Sequence, residues 1–364
     1  MKRIKSQRKW ARWCWWFLAG CLLLMGSAAT FTLVVDPYQI YHPALGGHPV
    51  FNRYLQRFYV PGLARTGTYE IALAGTSMLQ NIPNSAVSRL CGGRAVNLCM
   101  AGASIHEEAL ATRLALEHPG TKTLILTLDY NSFSGGATEP VVGANPVFPP
   151  YLYDRSILDK FPYLLSFDSL RTSYRLLRGI VSSDETRDAD WPWKFPDSMI
   201  FQASRAVNGI DPRDINRTFG MPNLNLESLK AAFAYNFFPL LAEYKAVKFH
   251  FVFPPYSILV WHDYAQRGQI PTYFAFKKWL VEQSGRFGNF DIVEYQDRAD
   301  IITNLSLYAD IYHTNERITE ELVRSACVGD ANLTRENFDS RTQSLLRLVQ
   351  STDPSEIVKK ALRD

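Results

Sequence analysis

Five short apolar runs, separated by segments of helical composition, constrain the fold of this chain more than any other feature. They are Ile71 to Ala74, Arg94 to Leu98, Thr123 to Leu128, Lys248 to Phe253 and Phe290 to Glu294. Runs that are apolar on both faces are typical of strands covered on both sides, and alternation with helices favours a parallel sheet with right-handed crossovers. We therefore predict an α/β fold, a three-layer α/β/α sandwich around a central parallel sheet of about five strands.

The helices are predicted from composition and from their start and stop signals. Ser104 and Glu107 match a capping box at the start of the helix Glu107 to Glu117, and Pro119 with Gly120 ends it. Further helices are predicted at Asn84 to Leu90, Leu226 to Tyr244, Thr272 to Ser284, Asn315 to Ala326, Arg341 to Gln350 and Pro354 to Leu362.

The amino terminus carries a candidate membrane anchor. Trp13 to Val35 is a run of 23 residues without a charge, and six of the 39 Lys and Arg residues precede it. About 20 apolar residues span a bilayer, and basic residues before the span orient the amino terminus in the cytoplasm. A cleaved signal peptide is the alternative, since Ser27 to Ala29 are small, but the run exceeds the ~7–15 residues of the apolar region of a signal peptide. We predict a retained single-pass anchor in the inner (cytoplasmic) membrane, with the rest of the chain in the periplasm.

The stretch 132–225 interrupts the alternation of strands and helices. It is rich in Pro, Gly and aromatic residues around the helical-looking segment Phe167 to Val181. We interpret it as an insertion over the carboxyl edge of the sheet, the usual place for a lid or a binding wall. The predicted organisation is a cytoplasmic basic tail (1–12), a transmembrane signal-anchor (13–35), a juxtamembrane segment (36–68), a main domain (69–327) that contains the insertion, and C-terminal helices (328–364).

Charge and cysteine content exclude some classes of protein. Beyond the first twelve residues, 33 basic residues face 35 acidic ones, so no basic surface for nucleic acid is indicated. Cys91, Cys99 and Cys327 are an odd set for an oxidising compartment, which allows one disulfide and one free thiol. The cysteines lack metal-ligand spacing, and no metal site is predicted.

Ser77 stands where open α/β folds bind ligands. The first apolar run ends in Gly75-Thr76-Ser77, in which the glycine permits a tight turn. The carboxyl edge of a parallel sheet is the usual place for a functional side chain. Ser77 is therefore a candidate nucleophile, and the alternative is a serine that only caps the next helix.

Three later positions complement Ser77. Asp310 precedes His313 by three residues, a spacing that places a carboxylate beside an imidazole and leaves the far ring nitrogen to accept a hydroxyl proton. Gly102 and Asn131 follow the second and third runs and are candidates to bind an oxyanion. Each also has a structural interpretation: a surface ion pair, a turn glycine and a loop cap. If His313 is not the general base, His262 with the carboxylate of Asp263 is the alternative.

The order of these residues resembles the SGNH (GDSL-like) hydrolase and acyltransferase superfamily, over about residues 70–325. In that family Ser, Gly, Asn and His follow successive elements, with an Asp three residues before the His. The matching positions are Ser77, Gly102, Asn131, Asp310 and His313. Two of the short motifs differ from those of the family. Thr76 stands where the family motif Gly-Asp-Ser has its Asp, and Asp129-Tyr130-Asn131 stands in place of Gly-x-Asn-Asp.

The anchored amino terminus, the first block and the long insertion look most like the membrane-anchored subgroup. That subgroup includes DltD of teichoic acid D-alanylation and the alginate O-acetylation proteins, and here the Asp-His pair follows the Ser, as in DltD. The resemblance implies a catalytic Ser77, His313 and Asp310, and an oxyanion hole of Ser77, Gly102 and Asn131. We place Thr76 and Tyr130 at the substrate.

The resemblance also implies a function and partners. It implies an extracytoplasmic serine esterase or O-acyltransferase without a cofactor, which acts on acyl esters of a cell-envelope polysaccharide or glycoconjugate. The partners would be the membrane, an acyl donor, the glycan acceptor and an MBOAT-type membrane acyltransferase. An ordinary α/β-hydrolase is disfavoured because Leu79 stands where its nucleophile turn needs a second glycine.

Two other functions remain open at this stage. The first is a carbohydrate-binding or assembly component of the same fold with weak catalysis, whose insertion stacks sugars on aromatic rings. The candidate rings are Tyr151, Tyr153, Trp191 and Trp193. The second is an anchored structural protein in which the matching residues coincide by chance, and it predicts that Ser77 and His313 lie apart.

Overall fold

Five parallel strands form the central sheet of the protein. The structure, a computed structural model, describes residues 2–44, 49–141, 147–154, 156, 160–182, 184–213 and 223–363, with side chains from residue 9 onward. The strands are β1 (Phe51–Asn52), β2 (Ile71–Ala74), β3 (Ala95–Asn97), β4 (Thr123–Thr127), β5 (Glu185–Thr186), β6 (Lys248–Phe253) and β7 (Phe290–Glu294).

The order in the sheet is β3-β2-β4-β6-β7, and every neighbouring pair is parallel. This confirms the predicted five-stranded parallel sheet. The bounds of β2, β6 and β7 are those predicted, whereas β3 and β4 are shorter by a residue at one or both ends. β1 and β5 pair separately as a two-stranded antiparallel sheet.

The strand order reverses at β2, and this fixes where the loops converge. The chain passes from β2 to β3 on one side and then crosses to β4 on the other. In open α/β sheets, ligands bind at the carboxyl ends of the strands where the order reverses. The turn with Ser77 follows β2 and Asp129 follows β4, so both residues stand at this crevice.

The helices account for most of the remaining chain. They are α1 (Lys2–Val35), α2 (Gln56–Thr66), α3 (Ser77–Gln80), α4 (Asn84–Cys91), α5 (Ile105–Glu117), α6 (Pro150–Tyr153), α7 (Phe161–Leu165), α8 (Phe167–Leu177), α9 (Ala203–Ala206), α10 (Leu226–Glu243), α11 (Ile258–Gln266), α12 (Ile270–Phe287), α13 (Ala299–Ile302), α14 (Glu316–Val328), α15 (Phe338–Ser351) and α16 (Pro354–Ala361). The predicted capping box is present: the Ser104 hydroxyl accepts from the Glu107 amide, and the Glu107 carboxylate accepts from the Ser104 amide.

Phenylalanine rings fill the space between α10, α12 and the sheet. Phe233 and Phe237 of α10 lie 5.0 and 5.1 Å from Phe251 of β6, and Phe276 of α12 lies 6.3 Å from Phe233. All four side chains are fully buried. Aromatic pairs at such distances add to the hydrophobic stabilisation by burial, which explains why this half of the sheet follows the sequence prediction closely.

Two of the longer helices, α2 and α11, and several helices of four or five residues escaped the sequence prediction. α2 lies in the juxtamembrane segment 36–68, where no helix was predicted, and it contains Pro61, a residue type that usually ends or kinks a helix. Its Gly62 is needed because a Cβ there would lie 2.1 Å from the Tyr38 carbonyl oxygen. α11 follows Pro254 and Pro255 directly, and it is buried on most sides, so its apolar residues show no one-sided period.

α1 is the candidate membrane span. Its segment Lys9–Val35 is 27 residues long with a mean hydropathy of 2.1, and only 11% of its apolar window is buried. One helix near the amino terminus is therefore long and apolar enough to cross a membrane. α1 is followed by Asp36, whose carboxylate accepts from the amides of Ile40, Tyr41 and His42.

The predicted insertion contacts the carboxyl end of β3, although parts of 132–225 lie outside the described residues. The indole of Trp193 donates to the Asn97 carbonyl at 2.9 Å, and the Phe195 amide donates to the Asn81 side chain at 3.1 Å. Trp193 and Tyr153 are buried in the core. The interpretation of these two rings as exposed sugar platforms was therefore wrong.

Candidate active site

A strained glycine turn presents Ser77 at the end of β2. Gly75 has φ = +133°, and a Cβ there would lie 2.0 Å from the Thr127 hydroxyl, so only glycine fits. The same hydroxyl accepts the Thr76 amide at 3.0 Å and ties the turn to β4. The turn is thus fixed by backbone geometry and not by the serine itself.

Thr76, not Ser77, caps the short helix α3. The Thr76 hydroxyl accepts from the Met78 amide at 3.3 Å and donates to Asp129 Oδ2 at 3.1 Å. Thr76 therefore has the capping role that was the structural alternative for Ser77. Ser77 is partly buried, and its Oγ lies 2.8 Å from His313 Nε2.

Asp310 orients His313 from within one tight turn. The Asp310 Oδ2 atom lies 2.7 Å from His313 Nδ1, and Oδ1 accepts from the amides of Tyr312 and His313 at 2.8 Å each. The Ala309 amide donates to the His313 carbonyl and closes the turn. The edge of Phe195, from the insertion, packs on the imidazole at 5.6 Å.

The electrostatics of this pair favour an ionised carboxylate. Burial alone would raise the pKa of Asp310, but the hydrogen bond and charge of His313 and the two backbone amides lower it below its usual value. A carboxylate that accepts from Nδ1–H leaves Nε2 as the acceptor for the Ser77 hydroxyl. A hydroxyl in this arrangement can lose its proton to the imidazole and attack an electrophilic carbon.

Gly102 and Asn131 lie on the two loops that flank the Ser77 turn. β2 stands between β3 and β4 in the sheet, so the loop after β3 carries Gly102 on one side and the loop after β4 carries Asn131 on the other. Gly102 is exposed with φ = +59°, and Asn131 is exposed in the short 3₁₀ turn that follows β4. The structure therefore brings the loops of both residues to the serine.

Direct hydrogen bonds connect both loops to the serine turn. The Met100 amide donates to the Gly75 carbonyl at 2.8 Å, and Thr76 donates to Asp129. Asp129 in turn accepts from the Asn131 amide at 3.0 Å and from the Tyr256 hydroxyl. Asp129 is buried, and sequence reasoning assigned it no role, although its place between a strand and Asn131 was a usable signal.

Gln56 and Arg57 of α2 were also missed. The Gln56 Oε1 atom accepts the Ala101 amide at 2.7 Å, and the Arg57 guanidinium donates to the carbonyls of Ala101 and Gly102. Arg57 is further held by Glu107, at 2.8 Å. These two side chains fix the backbone on both sides of the Gly102 amide, and nothing in their local sequence indicates this, because their partners lie about 45 residues away.

The placement of Thr76 and Tyr130 at a substrate needs correction. Tyr130 is fully buried, and its ring stacks on Tyr273 at 3.9 Å, so we assign it to the core. Thr76 is buried as well, with its hydroxyl engaged by Asp129. Both residues neighbour a site residue in sequence, but their side chains point to the interior.

His262 and Asp263 do not form the alternative pair of general base and carboxylate. Both lie on α11, where His262 Nε2 bonds the Thr352 hydroxyl at 2.9 Å and Asp263 accepts from Arg267 at 2.5 Å. Burial lowers the pKa of His262, which favours a neutral, structural imidazole.

A disulfide joins the helices that follow the two halves of the site. Cys91 at the end of α4 is bonded to Cys327 in α14, and Cys99 is a buried free thiol whose pKa is raised by burial. The predicted set of one disulfide and one free thiol is confirmed. α4 comes after Ser77 and α14 begins three residues after His313, so the bond holds the two segments together.

No protein-family model and no curated protein matches this chain. The assignment of the site therefore rests on the residues and geometry described above.

Proposed function

We propose that the protein is a membrane-anchored, extracytoplasmic serine esterase or O-acyltransferase of the SGNH type. The observation that carries this proposal is the Asp310–His313–Ser77 relay, with distances of 2.7 and 2.8 Å. The contact between Ser77 and His313 spans 236 residues of sequence and is not expected of residues that match a family by chance. The proposed localisation is the inner membrane, with the domain on the periplasmic side.

The proposed fold is a three-layer α/β/α sandwich. α5, α10 and α12 contact one another in series, while α4 and α14 contact each other and the sheet. Right-handed crossovers put the β3–β4, β4–β6 and β6–β7 connections on one face, and the β2–β3 connection on the opposite face because it runs in the reverse direction. This distribution of helix contacts supports two helical layers with the sheet between them.

The proposed chemistry is acyl transfer through Ser77. Ser77 Oγ attacks the acyl carbonyl carbon while His313 Nε2 takes its proton, and Asp310 stabilises the imidazolium. The Ser77 and Gly102 amides and the Asn131 side chain bind the oxyanion of the tetrahedral intermediate. His313 then protonates the leaving group. In the second half, water or an acceptor hydroxyl gives its proton to His313 and attacks the acyl-enzyme.

A groove beside the relay fits a polar acceptor. It has a volume of about 280 Å³ and is lined by Trp191, Lys194, Phe195, Arg53 and Asp188, with neighbouring residues of the insertion. Phe195 lines the groove and also packs on His313, so the groove lies next to the site. An indole beside carboxylates and cations is a typical surface for a sugar, which favours an envelope polysaccharide or glycoconjugate as the acceptor. An MBOAT-type membrane acyltransferase is the proposed supplier of the acyl group.

The test is the intact mass of the full chain in detergent after incubation with a fluorophosphonate or an activated acetyl ester. We expect a single adduct, lost in Ser77→Ala and formed more slowly in His313→Ala. Ser344→Ala, which replaces an exposed serine on α15, is the matched control and should react as the wild type does. Absence of an adduct in the wild type with both reagents would refute the enzymatic proposal and favour the binding or assembly function.

A further inference from the structure

Helices α7 and α8 expose large apolar side chains. In Phe167, Tyr174 and Leu177 of α8 the exposed fractions are 77%, 55% and 62%. The exposed set extends to the residues just before and after this helix: Phe161, Phe167, Tyr174, Leu177, Ile180 and Val181. Single exposed apolar residues are common, but six of them within residues 161–181 indicate a contact surface.

The polarity of α8 is the reverse of that of an ordinary surface helix. Its buried positions are the small polar residues Ser169 and Ser173, and Thr172 lies 3.5 Å from the Tyr38 hydroxyl. A helix on the surface of a globular domain places its apolar stripe inward and its polar stripe toward water. Leu170 and Leu176 are partly buried, whereas the three exposed large residues of α8 are better suited to a medium that is less polar than water.

The position of α7 and α8 identifies that medium. Both helices contact α1, whose last turns bury Thr32 and Val35. The Tyr163 hydroxyl of α7 donates to Asp36 at 2.6 Å, directly after the end of α1. At 1.5 Å per residue, a span that begins at Trp13 crosses ~30 Å of hydrocarbon by about Thr32. The outer boundary of the hydrocarbon then lies at the level where α7 and α8 pack.

Two basic residues suit the same location, although α8 also exposes the acidic Asp168 in its first turn. Arg171 and Arg178 are exposed on the same side as Phe167 and Tyr174, since positions four and seven residues apart share a helix face. Helices that lie in a membrane interface combine bulky apolar residues with Lys or Arg that reach lipid phosphates.

We propose that α7 and α8 lie in the headgroup region of the outer leaflet of the membrane that α1 spans. The six exposed apolar side chains enter the acyl boundary, and Arg171 and Arg178 contact lipid phosphates. This second contact fixes the tilt of the anchor and the domain together in the membrane and sets the orientation of the Ser77 site to the bilayer. The inference rests on the proposed membrane anchor but not on the chemistry at Ser77.

The test is site-directed spin labelling of the full chain in lipid nanodiscs of phosphatidylcholine and phosphatidylglycerol. Cys14 and Cys21 are first replaced by Ala, because they are the accessible free thiols among the described side chains. Tyr174→Cys and Phe167→Cys report on the patch. Tyr235→Cys is the matched control, since Tyr235 is a tyrosine of similar exposure (59%) on α10.

Labels at 174 and 167 are expected to collide several-fold more with oxygen, which concentrates in lipid, than with a water-soluble nickel chelate. The label at 235 should collide freely with the nickel chelate. Equal nickel accessibility at all three positions would overturn the proposal. Shielding of 174 and 167 from both reagents would also overturn it, because it would indicate a protein contact. Fluorophosphonate labelling of Ser77 in the same samples reports on the proposed chemistry separately.

Discussion

Asp310→Asn gives the sharpest test of the relay because the structure fixes how the new side chain must sit. In the wild type, Oδ1 accepts from the amides of Tyr312 and His313, while Oδ2 faces His313 Nδ1. The side-chain nitrogen of the introduced asparagine cannot face two N–H donors, so it must take the Oδ2 position. There it donates to Nδ1 and selects the tautomer with a proton on Nε2, which cannot accept the Ser77 proton.

The expected loss of transition-state stabilisation in Asp310→Asn is the sum of two free-energy contributions. Selection of the wrong tautomer is worth about 0.5–1.5 kcal/mol, the net value of one hydrogen bond, and loss of a charged partner for the imidazolium is worth about 1.5–3 kcal/mol. Together they predict a loss of about 2–4.5 kcal/mol of transition-state stabilisation, or roughly 30- to 2,000-fold in rate. The Asp310 side chain is 45% exposed, so solvent screening favours the lower half of this range.

The assay is the rate of acylation of Ser77 by an activated acetyl ester, followed by intact mass on the full chain in detergent. The chain offers a matched control in Asp291→Asn, because Asp291 also contacts a histidine Nδ1, that of His250, at 2.7 Å. That pair joins β6 to β7 within the sheet and should leave the acylation rate unchanged. Asp310→Asn with a rate within about threefold of the wild type would refute the reasoning, since the two terms together predict a loss of at least roughly 30-fold.

Three further predictions test other parts of the structure. Gln56→Ala removes the acceptor of the Ala101 amide, so we expect acylation in the same assay to slow about 5-fold, the equivalent of one hydrogen bond of about 1 kcal/mol. An unchanged acylation rate would contradict a positioning role for Gln56. Cys327→Ser should destabilise the domain by about 2–5 kcal/mol in thermal unfolding, and reductant should then lower the Tm of the wild type but not that of the variant. Burial raises the pKa of the Glu108 carboxyl well above its usual value, so the folded state favours the protonated acid. The contribution of Glu108 to the free energy of unfolding is fully present below its unfolded-state pKa of about 4.3 and is lost as pH rises through its folded-state pKa. Glu108→Gln should therefore gain Tm relative to the wild type as pH rises from about 4 to about 8, and a gap that does not change with pH would contradict this.

The sheet was predictable because its strands are specified locally. β2, β6 and β7 are short apolar runs that end at Gly, Pro or polar residues, and such runs leave few alternatives to a buried strand. α2 and α11 were not predictable in this way. α2 tolerates Pro61 and needs Gly62 only because the backbone of Tyr38 and Gln39 passes close to it, which is a tertiary requirement that no local pattern carries.

The site residues also fall into those that a local motif identifies and those that depend on tertiary contacts. Ser77, Asp310 and His313 were predicted because each sits in a short motif of its own, and their meeting followed from the order of elements. Tyr130 was placed wrongly because sequence position fixes the loop but not the direction of a side chain, and its ring packs on Tyr273. Gln56 and Arg57 could not be found, since their function depends on contacts with Ala101 and Gly102 that exist only in the folded chain.

The helix that carries these missed residues, α2, connects the end of α1 to the candidate site. At the end of α1, Asp36 accepts from the Tyr163 hydroxyl, and two residues later the ring of Tyr38 packs on Phe58 and Tyr59 of α2 at 5.3 and 5.0 Å. Phe58 follows Gln56 and Arg57 directly, so α2 contacts both the segment that follows α1 and the Gly102 loop.

A flexible tether would need none of these contacts. A rigid connection is useful only if the orientation of the site to the bilayer matters, as it does when a donor or an acceptor is held at the membrane surface. If the proposed acyl transfer is correct, the packing of α1 on α7 and of Tyr38 on α2 favours a reaction with a membrane-bound donor or acceptor over hydrolysis of freely diffusing esters.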